Sequence, residues 1–389
     1  MKRPIVILVL GVLASLAQPT GCTGSDLRLQ AMGSLIDEER SFLGDPGPSI
    51  VAAQRLRVDR HAPLYAQDLS VGSSFIYPPI AAAAYLPVAN LRPVEARATL
   101  SLVSRALFAV IVALAIRLAR RVDALEILAI VGASIWFFPL VHAVQLNQAT
   151  LAITALIGGA FLALAGGRQA LAGALFGLCF AIKPQLVLAL PLLWFSHEGA
   201  RRFVLSAAAT GVAPFGASVA LAGVDNHVVY ATRVLPALSG GYAYFANQSF
   251  NGFFQRLFVA TDLGIFRMPP PSVPVKVLTA VTGLVVYGVA LRTLRRRRDL
   301  EPVTAFGFAW LVATMISPIA WQHHFAPALF LFVWLARQKV DELLVLSFVL
   351  MAGYFEVRGL RGALASISVS YVLLGAMLLA WRTSVAPES

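Results

Sequence analysis

The sequence predicts an all-α fold: a polytopic transmembrane helical bundle of about 10–12 spans, with half-helices and two long extracytoplasmic loops. Three observations predict it. Of the 389 residues, 58% are hydrophobic and only 13% are charged, whereas a soluble domain carries about a quarter charged residues. Apolar runs of about 20 residues recur along the chain, and mean hydropathy is +0.76. Arginines cluster at the ends of those runs, as the positive-inside rule requires.

The elements follow in order. Residues 4–20 form a first helix, with Lys2 and Arg3 holding its start in the cytoplasm. A cleaved signal peptide is the other reading of this start. Thr20-Gly21-Cys22 is a poor lipidation site, because Pro19 stands where an aliphatic residue is expected. Residues 21–96 hold the first extracytoplasmic loop and juxtamembrane helices. Within them, 49–58 suits a short interfacial helix, and 79–91 is apolar but too short to span. Arg92-Pro93 ends that half-helix.

Residues 97–222 form the next helices. Helix 97–119 returns to the cytoplasm, 124–141 goes out, and His142 to Gln148 make a short outer turn before 149–165. Residues 169–196 are a broken pair hinged at Lys183-Pro184-Gln185, and the basic residues at both ends place those ends in the cytoplasm. Helix 203–222 leads to the second outer loop, 223–275, which ends in Pro269-Pro270-Pro271. The C-terminal helices fill 276–389: 276–294, a hairpin of 303–319 and 324–336, then 341–355 and 363–381.

Sixteen of the 31 lysines and arginines fall at cytoplasmic ends, among them Arg120, Arg201, Arg202 and the run Arg295 to Arg298. Both long loops, the Asn147-Gln148 turn and the His323-His324 turn therefore share the outer face, and both termini are cytoplasmic. The net charge of +12 does not point to nucleic acid, since no soluble basic domain carries it. It suits anionic lipid head groups instead. The two cysteines, Cys22 and Cys179, have no metal or haem spacing. No Asp-x-Asp, P-loop or dinucleotide fingerprint occurs in a loop, so no metal or nucleotide cofactor is expected.

Several residues carry possible chemistry. Asp45, between Gly44 and Pro46, can act as a general base at the interface if it is partly desolvated. A turn aspartate is the plainer reading of Asp-Pro-Gly-Pro. Asp26, Asp37, Glu38, Glu39, Asp59 and Asp68 are competing carboxylates in the same loop. Lys183 interrupts 28 residues, 169–196, that otherwise carry no charged side chain. A lysine in a membrane span costs about 2.5–3.5 kcal/mol unless it has a partner or water, and an anion such as a lipid phosphate would meet that need. Snorkelling to an interface is the alternative. His323 and His324 suit hydrogen bonding to a phosphate or sugar, against an interfacial aromatic belt. Gln148, Asn247 and Gln248 offer the neutral amides that sugar hydroxyls need, though each also fits an ordinary polar turn. Tyr242, Tyr244 and Phe245 either stack on a sugar ring or anchor their loop. Tyr77-Pro78-Pro79 is conformationally stiff and would fix the entry of the half-helix.

Taken in order, these pieces resemble glycosyltransferase family 87, the polyprenyl-phosphate-sugar-dependent enzymes of the GT-C superfamily. The resemblance rests on Asp45, Ala52-Ala53, Leu64-Tyr65 and Tyr77-Pro78-Pro79, then on Asn147-Gln148, where Asn replaces the usual Gly. It continues through Gly167-Arg168, Ala172-Gly173, Gly177-Leu178 and Lys183-Pro184. It closes on Asn247-Gln248-Ser249, Arg256-Leu257, Ser317-Pro318, Trp321 and His323-His324. The resemblance implies a single GT-C-like domain over 1–389 in the plasma (inner) membrane, with a retained first helix. It implies inverting transfer of a sugar, typically mannose, from polyprenyl phosphate to a lipid or glycan acceptor on the outer face. Asp45 would be the base, and Lys183 with a histidine of the 323–324 pair would steady the phosphate. The loop departs from the family pattern at Pro46-Gly47-Pro48, where aromatic residues are usual, which leaves Asp26 and Asp37 as other bases. A lipid or glycolipid transporter without transferase activity is the alternative function. A transporter carries paired ionisable groups deep in several helices, whereas here the polar groups gather on one face.

Overall fold

The computed structural model describes residues 46–66, 69, 74–120, 122–259, 263, 272–354 and 366–385. The expected first helix 4–20 lies outside them, as do Asp26, Asp37, Asp45 and Asp68. The described chain is helical throughout and polytopic, with one isolated antiparallel bridge between Asn247 and Trp321.

Helix α1, Pro46–Val58, is the expected interfacial helix. The half-helix is α2, Pro79–Ala84, followed by a 3-10 turn at Leu86–Val88. Proline at its first position needs no hydrogen-bond partner, and Tyr77-Pro78 feeds it an extended backbone. Helix α3, Pro93–Ala119, starts where Arg92-Pro93 was expected to break the chain. The Glu95 carboxylate accepts from the Arg92 backbone N–H (3.0 Å) and from Arg92 Nε (2.8 Å).

Helix α4, Ala124–Trp136, and α5, Phe138–Gln145, were expected as one span ending at 141 followed by a turn. Instead they meet at a 59° bend. Pro139 has no N–H to donate back and clashes with a continuing helix, so the chain breaks at Phe137. His142 therefore lies in a helix, and the turn begins only at Leu146. Helix α6, Thr150–Ala165, packs on α3.

The broken pair is α7, Gln169–Leu178, and α8, Ala189–Trp194, separated by 3-10 turns at Cys179–Ala181 and Pro184–Leu188. Helix α9, Ala200–Val229, packs closely along α7. It runs past the expected end at 222. Gly223 kinks it with φ 69°, and a π turn at Tyr230–Val234 carries it on to Leu238. The second loop is correspondingly shorter than 223–275. Asn226, just beyond the kink, accepts from the Leu64 N–H (3.1 Å) and donates to the Ala62 carbonyl (3.1 Å). Arg233 donates to the Ala66 carbonyl (2.8 Å). The continued helix thus straps down the first loop.

Helix α10, Phe250–Phe258, sits in the second loop, and α11, Val273–Arg296, follows it. The last helices are α12, Pro302–Ile316, α13, Ala328–Gln338, α14, Glu342–Ala352, and α15, Tyr371–Val385. Every residue of α12 from Val303 to Met315 is buried, which puts this helix at the bundle centre. By contrast α9 and α11 bury little of their apolar stretches, and their outward side chains suit lipid. Among the described residues, three helices are long and apolar enough to cross a bilayer alone, and α4 with α5 makes a bent fourth. Six further apolar helices among the described residues are 10–17 residues long, shorter than a full span. They are held by packing inside the bundle.

The contact of α7 with α9 depends on glycine. A Cβ on Gly173 would lie 2.1 Å from the Phe203 carbonyl oxygen, and one on Gly177 would lie 2.3 Å from that of Ala207. The Gly173 and Gly177 spacing is the small-xxx-small pattern that lets membrane helices approach. Thr210 Oγ1 seals the contact by donating to the Ala174 carbonyl (3.0 Å). Gly173→Ala should therefore cost about 1–3 kcal/mol, read as a lower midpoint of thermal unfolding in detergent. Gly283→Ala, whose Cβ meets nothing within 4 Å, should leave the midpoint unchanged or raise it, since alanine favours a helix.

Candidate active site

The site is built around the break between α7 and α8. Pro184 disfavours helical backbone at the residue before it, and Lys183 takes φ −124°, ψ 72°. The 14 residues from Gln169 to Ile182 carry that hinge about 20 Å from its basic end. A bilayer core is roughly 30 Å thick, so this is a substantial part of a full crossing. Lys183 is only 8% exposed. Its Nζ contacts Nε2 of His324 and lies 5.9 Å from the centre of the Tyr77 ring, within cation–π range. Three regions distant in sequence thus meet at one ammonium group.

His324 comes from the turn between α12 and α13. Trp321 has extended backbone, and Gln322–Phe325 then forms a 3-10 turn packed on α5. The His323 ring lies 4.8 Å from that of His324 and 5.9 Å from that of His142. His142 in turn stacks on Phe138 (4.9 Å, 19°). Both ring nitrogens of His323 are buried without a hydrogen-bond partner, as are His142 Nδ1 and Gln145 Oε1. Such a group costs about 1–3 kcal/mol when left unmet, and Thr150 Oγ1, which lines a crevice beside Lys183, is likewise buried without a partner. His142 and Gln145 were missed in the sequence because their segment reads as a turn. Their spacing of three residues, one helix face, was the signal that could have found them.

Two narrow crevices flank the hinge. One, of ≈ 20 Å³, is lined by Lys183, Gln185, His324, Thr150, Thr314 and Ser317 among apolar residues, and none of the described residues lining it is a carboxylate. The other, of ≈ 10 Å³, is lined by Pro46, Ser49, Tyr77, Gln148 and Ile182 with small residues. Thr150 and Lys183 line the first, and Gln148 and Ile182, close to them in sequence, line the second. Tyr77 is held in place by its own carbonyl, which accepts from the Tyr65 hydroxyl (2.9 Å). Asp45 itself lies outside the described residues; the next residue, Pro46, lines the second crevice.

The structure does not bring Asn247 and Gln248 to either crevice. Both are fully buried and bonded to the protein's own backbone. Asn247 Nδ2 donates to the carbonyls of Tyr242 (3.0 Å) and Pro318 (3.2 Å), and its Oδ1 accepts from the Ala320 N–H (3.0 Å). Gln248 Nε2 donates to the carbonyls of Phe245 and Val369, both at 2.7 Å. Arg256, 2% exposed, donates to the Asn247 carbonyl (2.6 Å) and to Ser370 Oγ (2.8 Å). Tyr242 is buried against Trp321, ring to ring at 5.3 Å. These groups fasten the second loop to the turn that presents the histidines.

Residues 75–320 match the model of glycosyltransferase family 87. The chain belongs to glycosyltransferase family 87. It is therefore a membrane glycosyltransferase. No curated protein and no solved structure matches the chain. The family 87 match contains Tyr77, Gln148, Lys183, Asn247 and Gln248, and leaves Asp45 and the His323–His324 pair beyond its two ends. In this glycosyltransferase, Asn247→Ala removes two donated and at least two accepted hydrogen bonds inside a buried turn. We expect it to lower stability by about 1–3 kcal/mol. The check is unfolding in detergent alongside Asn247→Asp, which keeps the acceptor and loses the donors; it should fall as far or farther.

Proposed function

We propose that this chain transfers mannose from a polyprenyl-phosphate donor to a lipid or glycan acceptor at the outer face of the plasma (inner) membrane, inverting the anomeric carbon. The observation that carries this reading is the Lys183 ammonium seated against His324 at the hairpin tip, in a crevice whose described lining residues include no carboxylate. A cation placed there suits an anion delivered by the membrane itself. A phosphate on a long isoprenoid chain fits, because its charge lies at the interface and its tail stays in lipid. Family membership supports the sugar transfer, and sugar identity and orientation rest on the resemblance and the charge distribution.

In this scheme Asp45, the residue before Pro46 in the chain, takes the proton of the acceptor hydroxyl. The hydroxyl oxygen forms a bond to the anomeric carbon from the face opposite the phosphate. The bond from that carbon to the phosphate oxygen breaks, and the electron pair leaves with polyprenyl phosphate. Lys183, with His324 and His323, stabilises the charge that develops on the leaving oxygen. His142 and Gln145 back the histidine pair. The scheme uses no metal or nucleotide.

The test is transfer by the full chain reconstituted with polyprenyl-phosphate mannose and a glycolipid acceptor. Asp45→Asn should lower kcat by about 10²–10⁴, and Lys183→Gln should lower kcat/KM by about 10²–10³. Transfer that survives Asp45→Asn unchanged would move the base to Asp26 or Asp37. If the donor is not consumed with any acceptor, the transferase reading of this site fails in favour of transport.

A further inference from the structure

Arg292 and Arg295 to Arg298 read in the sequence as one basic cluster, but the structure divides it. Arg297 turns towards the protein. It donates to Asp299 (2.9 Å) and to the Ser384 carbonyl (3.2 Å). Arg292, Arg295 and Arg296 stay exposed and, with Gly288 and Leu291, line an open groove of ≈ 340 Å³. Among the described residues these three make no ion pair. The Arg295 guanidinium lies 4.2 Å from the centre of the Phe195 ring, so an aromatic wall from beyond α8 borders the groove.

Beyond the groove, the same face of α11 stays exposed and apolar. Val277, Val281, Leu284, Gly288, Leu291 and Arg295 recur at steps of three and four, which places them on one helix face. Val281 is 53% exposed and Leu284 is 74% exposed. A Cβ on Gly288 would meet nothing within 4 Å, so the face is open where its character changes. Three turns of bare apolar surface, about 16 Å long, thus run into three arginines gathered within about one turn. A soluble anion has no use for the apolar track, and a neutral lipid has none for the arginines.

We propose that this groove is a binding site for one anionic glycerophospholipid, its phosphate on Arg292, Arg295 and Arg296 and an acyl chain along Val281, Leu284 and Gly288. The three arginines lie towards the Phe195 end of the hairpin, and the proposal is independent of the proposed sugar transfer. The three arginines supply point charges that a head group bearing net negative charge satisfies and a zwitterionic one half cancels. Phe195 holds Arg295 at the rim by cation–π contact. The lipid fills the gap that Gly288 leaves on a helix which buries little of itself against the bundle.

The test uses the purified full chain in neutral detergent, supplied with phosphatidylglycerol or phosphatidylcholine at equal mole fraction. Lipid retained per chain is counted by native mass spectrometry. The wild type should retain one phosphatidylglycerol in clear preference to phosphatidylcholine. Removing the arginines should cost on the order of fivefold each, so Arg292→Gln/Arg295→Gln/Arg296→Gln should abolish the preference. Gly288→Trp keeps every charge and fills the groove, and should abolish it as well; this variant decides the matter if the triple variant does not fold. Arg117→Gln/Arg168→Gln/Arg202→Gln removes as much charge elsewhere and should leave the preference intact. Equal loss in that control, or retention in Gly288→Trp, would overturn the site in favour of general surface charge. Displacement of phosphatidylglycerol by equimolar polyprenyl phosphate would overturn it in favour of a donor reservoir.

Discussion

Lys183 at the tip of a broken hairpin is the constraint on which the rest of the site depends. A lysine at that depth costs about 2.5–3.5 kcal/mol without compensation, so the chain must bring polar partners to it. They arrive from two directions: Tyr77 from the first loop and His324 from the turn between α12 and α13. The hairpin reaches the site because Pro184 prevents α7 from continuing. A straight span would carry its lysine through the bilayer and past these partners.

The second layer of the architecture is a set of buried amides and one buried guanidinium. Asn247 and Gln248 look like binding residues in the sequence, yet together with Arg256 they bond the chain to itself across the second loop, the Pro318–Ala320 segment and the start of α15. That is a physical necessity in a short irregular turn. Backbone groups there have no helix or strand to pair with, and burial makes each unpaired group costly. The amides supply the missing partners and so hold His323 and His324 at a fixed distance from Lys183.

The helices divide by length in a way that fits this task. The outer ones, α3, α9 and α11, are long and bury little of their apolar surface. The inner ones are short, and α12 is wrapped on every side. Short helices end inside the bundle, where their termini and connecting turns can meet at one place. The bend between α4 and α5 does the same for His142, turning its helix towards the histidine pair.

The sequence by itself determined the class of fold, because apolar run length and the placement of arginines are local properties of the chain. It also placed the half-helix at 79–91, the break at Arg92-Pro93 and the hinge at Lys183-Pro184, since proline acts on its own neighbours. It singled out Lys183, because a charge in an apolar run is conspicuous wherever the run packs. Only the tertiary structure decided which polar residues meet. Asn247 and His324 are equally polar in the sequence, and what separates them is whether a backbone carbonyl or the Lys183 ammonium stands opposite. The bend at Phe137, the extension of α9 beyond Gly223 and the close approach at Gly173 were likewise decided by packing, because each local signal has more than one structural outcome until a neighbouring helix selects one.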